Sequence, residues 1–303
     1  MANLREIKKR IGSVSTTQQI TRTMEMVATA KIARALQRAK NSEPYSAAIT
    51  DVMLTVATDP ALNVNSPLLV DPETYERALV IAISSDRGLA GGFNMQVERA
   101  AEQHIKHFHR HGAKEVELIT CGRKVTEYFR KYPCKVMGIV GESDDPTLEN
   151  ARVVANYVID GFSQGRFGRV DIVYFHAKNR VEQVLRSERI LPLDDEVLRT
   201  ARGPRANEDE APTRLASPFE FVPSAEHVLD KLIPSYVLTV VHQAMIDSAA
   251  AEQGARRKSM HSATENASAI IADLTRTYNR VRQASITTEI NEIVGGAAAL
   301  EEH

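Results

Sequence analysis

The two ends of this chain contain almost no residues that break a helix. Residues 1–58 include only Gly12 and Pro44, and residues 235–294 include Gly254 but no proline. Between these ends, glycine and proline recur every few residues. Because these two residue types are the strongest local breakers of regular structure, their distribution predicts one long helix at each end and a compact domain between them.

Each end also carries a narrow apolar row, which favours pairing of the two helices. The N-terminal row begins with the 3-4-3 spacing of a coiled-coil seam and then shifts. At 1.5 Å per residue the helices would be about 80 Å and about 90 to 110 Å long, too long for one globular domain. We therefore expect residues 1–58 and 224–303 to form an antiparallel two-helix coiled coil, kinked rather than ended at Pro44 and Pro234. The predicted N-terminal seam consists of Leu4, Ile7, Ile11, Val14, Ile20, Met24, Val27, Ala30, Ala33 and Leu36.

Residues 75–200 have a different pattern, in which short apolar runs alternate with helical segments. The run at residues 78–84 is continuously apolar, which is typical of a buried parallel strand. The alternation predicts an open, three-layer α/β (Rossmann-like) sheet, and the polar, proline-containing residues 201–223 indicate a linker. The predicted strands are 78–84, 116–120, 135–140, 170–176 and an antiparallel 181–190, and the predicted helices are 93–111, 124–130 and 147–164.

Composition excludes several classes of protein. With 43% apolar residues the chain can build a core, and a net charge of −1 argues against binding to nucleic acid. No run of 18 apolar residues is present to span a membrane, and no apolar core follows the basic N-terminal residues, as a secretory signal would require. Two cysteines, Cys121 and Cys134, are too few for a disulfide framework, so a reducing compartment fits best.

Two patterns in the middle of the chain are candidates for chemical sites. Residues 84–94 follow a strand and precede a helix, but they lack the Gly-Lys-Ser/Thr and G-x-G-x-x-G spacings of phosphate-binding loops, so we favour a glycine turn over a nucleotide site. His104, His107 and His111 share one helical face, yet no ligand set completes a metal site near them, so a solvated face is favoured. No Ser/His/Asp arrangement stands out. The sequence therefore predicts no catalytic residue, metal or cofactor.

Residues 282–292 are polar although they interrupt an apolar-striped helix, and small apolar residues follow at 297–300. An ordinary solvated face is one interpretation. The other is a surface that hydrogen-bonds to a surrounding partner, with a hydrophobic sleeve around the helix tip.

The same region resembles a known family. Residues 286–299 (ITTEINEIVGGAAA) match the signature of the gamma subunit of F-type ATP synthases at every defined position. Residues 278–285, 21–28, 84–94 and 263–267 are similar to that family as well. The resemblance thus covers both ends and the start of the middle domain.

The resemblance implies a non-catalytic rotor shaft without a cofactor of its own. Such a shaft stands inside a ring of three alpha and three beta subunits, and its α/β domain contacts the epsilon subunit and the membrane-embedded c-ring. Ion flow turns the c-ring and the shaft, which drives the beta subunits through the conformations that make and release ATP. The implied location is peripheral, on the cytoplasmic side of a bacterial cell membrane (the inner membrane in a Gram-negative cell).

The resemblance also implies contacts with the beta-subunit "catch" loops. Arg282, Gln283 and Thr287 match positions that hydrogen-bond to these loops. Glu289 and Glu292 match acidic positions of the same motif.

A further implied beta contact is Met24, which matches a first-helix position near an acidic loop of that subunit. A second set of contacts is implied at the foot of the shaft. This set is Asp86, Arg87, Gly88, Gly91 and Gly92.

Two alternatives to the rotor remain open on the residues alone. One is a non-motor scaffold, in which the coiled-coil arm and the α/β module only assemble partners. The other is a small-molecule enzyme built on the α/β domain. Cys121 and Cys134 do not match the short-spaced cysteine pair of the chloroplast branch, which argues against thiol regulation.

Overall fold

The computed structural model describes residues 4–57, 75–141, 143–193 and 225–301. The helices in this part of the chain are α1 (Leu4–Ala57), α2 (Phe93–Arg110), α3 (Arg123–Phe129), α4 (Leu148–Ser163) and α5 (Ala225–Glu301). The strands are β1 (Arg77–Ile83), β2 (Glu115–Cys121), β3 (Lys135–Ile139), β4 (Arg169–Ala177) and β5 (Gln183–Leu191).

The long terminal helices are present, as the scarcity of glycine and proline predicted. Pro44 lies inside α1 and Pro234 inside α5, so neither proline ends its helix. The chain divides into two compact units, one of residues 1–28 with 257–303 and one of residues 29–256. Parts of α1 and α5 therefore belong to each unit, and the whole of the predicted linker, residues 201–223, lies outside the described residues.

In the unit of residues 29–256, hereafter the α/β unit, five strands form one sheet in the order β3-β2-β1-β4-β5. Strands β1 to β4 run parallel, and β5 is antiparallel to β4, as predicted. Ile81 on the central strand β1 lies opposite Ile119 of β2 and Ile172 of β4. All three side chains are fully buried, which explains why the strands have continuous apolar sequences.

Alternate residues of β1 supply two separate cores. Leu79 and Ile81 face a core that includes α4, part of α5, and Ile49 and Met53 of α1. Val80, on the opposite face, packs in a core built with α2 and α3. Helices on both faces of the sheet give the predicted three-layer architecture.

In the other unit, hereafter the helix-pair unit, α1 and α5 are antiparallel. Gln18 Nε2 donates to Ser268 Oγ at 2.6 Å, and Glu25 Oε1 lies 3.0 Å from His261 Nδ1. As α1 advances by seven residues, its partner on α5 moves back by seven. Between these pairs, the hydroxyl groups of Thr21 and Thr264 are 2.8 Å apart. This register confirms the predicted antiparallel pairing.

The predicted seam was partly wrong between residues 20 and 33. Ile20 and Val27 are 55% and 52% exposed, whereas Thr21 and Ala28 are 8% and 1% exposed. At these levels a small side chain and a pair of hydroxyl groups are buried in place of the larger apolar side chains, so hydrophobicity alone does not locate this part of the seam. The predicted seam residues Ala30 and Ala33, which belong to the α/β unit, are exposed as well.

Candidate functional site

The C-terminal end of α5 extends past its pairing with α1. Because Gln18 lies opposite Ser268, the start of α1 at Leu4 extrapolates to a level near Arg282. From Arg282 to Ala297 every side chain except that of Ser285 is exposed. We call residues 282–297 the α5 tip; the side chains of residues 298–303 lie outside the described part of the chain.

Four large apolar side chains form a row along the tip. Ile286, Ile290, Ile293 and Val294 follow the i, i+4, i+7, i+8 spacing of one helical face. They are 46%, 53%, 72% and 61% exposed. Such a row of unburied aliphatic side chains marks a surface for another protein.

Polar side chains flank this apolar row. Gln283 and Thr287 are one turn apart, and the Thr287 hydroxyl donates to the Gln283 carbonyl oxygen at 2.9 Å. Glu289 accepts a hydrogen bond from Ser285 Oγ at 3.3 Å. Within the described residues, the side chains of Arg282, Gln283 and Glu292 make no hydrogen bond to the rest of the chain, so their donors and acceptors face outward.

Met24 lies at a different level of the helix-pair unit. It is half-buried and adjoins Glu25, whose carboxylate faces His261. Arg282 is 21 residues further along α5 than His261, roughly 30 Å at the rise of an α-helix. The predicted beta-contact residues therefore occupy two levels of this unit rather than one site.

The predicted foot residues lie in the loop between β1 and α2, at the carboxyl edge of the sheet. The Asp86 side chain is held by hydrogen bonds from backbone N–H groups of two other loops. Its carboxylate accepts from Arg123 at 2.8 Å, from Gly141 at 3.1 and 3.2 Å, and from Ser143 at 3.0 Å. Asp86 therefore links the loops that follow β1, β2 and β3 and fixes them relative to each other.

These donors also set the charge state of Asp86. Burial alone would raise the pKa of its carboxyl group, but the backbone N–H groups of Ser143, Gly141 and Arg123 outweigh burial and hold the pKa below its ordinary value. Asp86 is therefore ionised at neutral pH.

The outer part of the same loop is accessible. Arg87, Gly88 and Gly91 are exposed, and Leu89 is 63% exposed with a φ of +66°. A left-handed backbone is costly for leucine, and strain of this kind is concentrated at functional positions. Leu89 is the residue of this loop that the sequence analysis missed, because no local sequence signal reveals its backbone angle.

A buried ion pair supports the loop from α5. Arg256 Nη2 lies 2.7 Å from Glu252 Oε1 and donates to the Gly88 carbonyl oxygen at 3.3 Å. Burial raises the pKa of Glu252 to about 7, although Arg256 opposes the shift. The residue is 1% exposed, so its carboxyl group titrates near neutral pH inside the protein.

A second arrangement that the sequence did not indicate joins α2 to the edge of the sheet. His104 Nδ1 lies 3.0 Å from Asp171 Oδ2, and His104 Nε2 lies 2.5 Å from Ser187 Oγ. Arg169 Nε also donates to Asp171 at 3.3 Å. The three residues have the order of a hydrolytic relay. Ser187, however, lies on the exposed edge strand β5, so we interpret the relay as a brace between α2, β4 and β5.

The contacts with Asp171 and Ser187 occupy both ring nitrogens of His104. His104 is one of the three histidines on the candidate metal-binding face. The rings of His107 and His111 lie with their centroids 4.0 Å apart and their planes tilted by 33°. Among the described residues, no group of three or more His, Cys, Asp or Glu side chains is arranged to hold a metal ion.

A small cleft lies where parallel α/β sheets commonly bind ligands, at the carboxyl ends of the strands. Its lining is mostly apolar and includes Ser84, Cys121, Gly122 and Met245. Gly122 has a φ of +106°, and a Cβ there would collide with the Ser84 carbonyl oxygen. Burial raises the pKa of the Cys121 thiol to about 12, so this thiol is unreactive at neutral pH.

No helix in the described residues has a segment both long and apolar enough to cross a membrane.

Comparison with solved structures shows the same fold. A central stalk/c-ring chain of the Tetrahymena thermophila mitochondrial ATP synthase aligns with a TM-score of 0.57 and 23% identity, over 80% of this chain and 99% of that chain. A chain from the Euglena gracilis mitochondrial ATP synthase (OSCP/F1/c-ring, rotational state 3) aligns with a TM-score of 0.62 and 18% identity, over 98% of this chain and 94% of that chain. A second Euglena gracilis chain, from the rotor in rotational state 1, aligns with a TM-score of 0.58 and 18% identity, over 93% and 98% of the two chains.

Comparison with family models shows the family to which the chain belongs. A model described as ATP synthase matches residues 3–300, nearly the whole length. The chain therefore belongs to the gamma-subunit family of the ATP synthase, whose members are the non-catalytic rotor subunits of that membrane-associated enzyme.

Proposed function

We propose that the α5 tip is the part of this rotor around which three alpha and three beta subunits close. The observation that carries this proposal is the row of four exposed aliphatic side chains, which exposed polar side chains flank. An apolar row of this kind is stabilised when other subunits surround it.

The two kinds of side chain have different roles in this proposal. The apolar row gives contact with a surrounding sleeve, while Arg282, Gln283 and Thr287 hydrogen-bond to the beta-subunit catch loops. Glu289 and Glu292 lie beside this row and complete the polar surface. A rotor changes the conformation of a neighbour only if it contacts the neighbour's conformations unequally, and a one-sided tip meets this requirement.

Met24 supplies a second, separate level of contact with the beta subunits. The basic residue Arg22 precedes it by two positions on α1. A positive charge of this kind attracts acidic loops of the ring.

The loop after β1 is the proposed contact with the epsilon subunit and the c-ring. Arg87, Gly88 and Gly91 are exposed in it, and Leu89 adds an apolar contact that a partner would cover. Asp86 and Gly92 contribute indirectly, because Asp86 fixes the loop and Gly92 precedes the first residue of α2.

We further propose the cytoplasmic side of a bacterial cell membrane as the location. The spacing of Cys121 and Cys134 supports a branch other than that of chloroplasts. Fractionation of the source cells tests this placement, since the chain should sediment with membranes and be released when the complex is stripped from them.

The test of the tip contacts is ATP hydrolysis and rotation by a complex reconstituted from this chain with alpha and beta subunits. Replacing Arg282 and Gln283 by alanine removes two proposed contacts, and we expect the hydrolysis rate to fall about tenfold. Arg276→Ala is the matched control, because Arg276 is equally exposed on α5 but pairs with Asp273 within the helix. Equal rates for the double variant and the control would overturn the proposed contacts.

The same assay tests the level of Met24. Met24→Lys adds a charge at the proposed contact, and we expect it to lower the ratio of ion transport to ATP hydrolysis. Met26→Lys adds the same charge two residues away, at a side chain that is 59% exposed. If both lysine variants couple as the unmodified chain does, Met24 does not contact the ring.

A further inference from the structure

One carboxylate in the α/β unit contacts both long helices. Asp144 lies between β3 and α4. Its Oδ2 accepts a hydrogen bond from Lys31 Nζ of α1 at 2.7 Å, and its Oδ1 accepts from Gln253 Nε2 of α5 at 2.9 Å. Asp144 therefore fixes two helices to the same loop, the one that follows β3.

The neighbouring residue makes a second contact with α1. Asp145 forms an ion pair with Arg38, and Arg38 Nη2 donates to Asp145 Oδ2 at 3.2 Å. Lys31 and Arg38 are seven residues apart, which places both on one face of α1, two turns from each other. The consecutive residues Asp144 and Asp145 thus form ion pairs with two basic residues that lie on one face of α1.

The backbone that carries Asp144 is itself anchored. Gly141 and Ser143 donate their backbone N–H groups to the Asp86 carboxylate, and Ser143 Oγ accepts from the Asp86 N–H at 2.9 Å. The loop after β3 is therefore bonded to the loop after β1, so a force on Asp144 passes into the sheet rather than into a free loop.

Apolar packing alone would not give this part of the molecule the same rigidity. Ile49 and Met53 of α1 are buried in the core of the α/β unit, but hydrophobic attraction is non-directional and resists separation more than sliding. Hydrogen bonds depend on angle as well as distance. Gln253 is only 3% exposed, so its bond to Asp144 is protected from competing water.

We propose that Asp144 and Asp145, with Lys31, Arg38 and Gln253, form a torque clasp within the α/β unit, between the loop after β3 and the parts of α1 and α5 that belong to this unit. The proposal rests on the rotor function, because torque that enters through the α/β unit has to pass into α1 and α5. The five residues are positioning residues: they contact no nucleotide, and they limit how far the helices twist against the sheet under load.

The test uses the complete reconstituted complex and measures three quantities: ATP hydrolysis, ATP-driven ion pumping, and the torsional stiffness of the rotor from single-molecule rotation. For Asp144→Ala we expect assembly and hydrolysis within about twofold of the unmodified complex, while stiffness and pumping against a gradient fall by roughly threefold or more. Asp144→Asn keeps an acceptor for Gln253 but loses the charge that faces Lys31, so an intermediate loss is expected.

Glu149→Ala is the matched control, since it removes an exposed ion pair with Arg152 that lies wholly within α4. The charge exchange Lys31→Asp with Asp144→Lys should recover part of the stiffness. If Asp144→Ala has the stiffness and pumping of Glu149→Ala, the clasp is refuted. If the complex with Asp144→Ala does not assemble, the stiffness and pumping of Asp144→Asn and of the charge exchange are compared with those of Glu149→Ala instead.

The outcomes also separate this proposal from the proposed tip contacts. Loss of stiffness in Asp144→Ala, with no effect of the Arg282 and Gln283 substitutions, would keep the clasp and refute the tip contacts. The opposite pattern would keep the tip contacts and refute the clasp.

Discussion

Different kinds of contact stabilise the interior of the α/β unit and the interior of the helix-pair unit. The α/β unit buries large side chains such as Leu79 and Phe108 completely. Among the described residues, the helix-pair unit buries only a few side chains, which include Ile7 and Met260 as well as Ala28 and Thr21, and it sets its register with hydrogen bonds between the helices. The difference shows that dense apolar packing stabilises the sheet, whereas a thin seam of a few apolar and polar side chains is sufficient to align two helices.

The largest expected effect compares equivalent truncations in the two units. Ile81→Ala leaves a cavity in the core between the sheet and the helices α4 and α5, and we expect it to lower the free energy of unfolding of the α/β unit by about 3 kcal/mol. Ile7→Ala in the helix-pair unit should cost about 1 kcal/mol, because fewer neighbouring side chains surround the cavity. Hydrogen exchange measured peptide by peptide reports both units separately. Equal costs would contradict the contrast between dense and thin packing.

A second, smaller effect concerns the buried charge of Glu252 in the α/β unit. Its pKa is about 7 in the folded chain, above the ordinary value of 4.5, so the folded state retains a proton that the unfolded state loses. The stability contribution of Glu252 is therefore complete below about pH 4.5 and is lost as the pH rises to about 7.

Glu252→Gln should remove this pH dependence. The variant should match the unmodified chain near pH 5 and be more stable near pH 8, by on the order of 2 kcal/mol. Thermal unfolding at several pH values measures the difference, with Glu149→Gln as an exposed control. Stability curves that stay parallel from pH 5 to pH 8 would contradict the assignment.

The smallest expected effect tests the polar seam of the helix-pair unit. Thr21→Val leaves the Thr264 hydroxyl without its partner across the seam, and we expect a loss of about 1 kcal/mol. Changing both residues to valine replaces the polar pair by an apolar one of the same shape, which should restore most of the stability. Additive losses in the double variant, measured by hydrogen exchange of α1, would show that the two hydroxyl groups do not interact.

Much of the fold could be predicted because its signals are local in the sequence. The apolar run predicted as a strand at 78–84 is β1 (Arg77–Ile83), and the antiparallel strand predicted at 181–190 is β5 (Gln183–Leu191). The scarcity of glycine and proline located both long helices. The seam was less predictable: Ile20 and Val27 are exposed although they are apolar, whereas the neighbouring Thr21 and Ala28 are buried.

A site can be predicted from sequence where its motif is continuous. The motif that includes Arg282 and Thr287 is such a case, and its contacts with the beta subunits stay a prediction. The family match shows a rotor rather than a non-motor scaffold. The roles of Asp86, His104 and Asp144 depend on partners up to 113 residues away in the sequence, so no local pattern indicates them.

The most direct test of the central claim is a high-resolution electron cryomicroscopy structure of the complete complex that contains this chain. We expect α1 and α5 to pair with Gln18 opposite Ser268, and the apolar row from Ile286 to Val294 to be covered by the surrounding subunits. A structure in which this pairing is absent, or in which the α5 tip stands in solvent, would contradict the account.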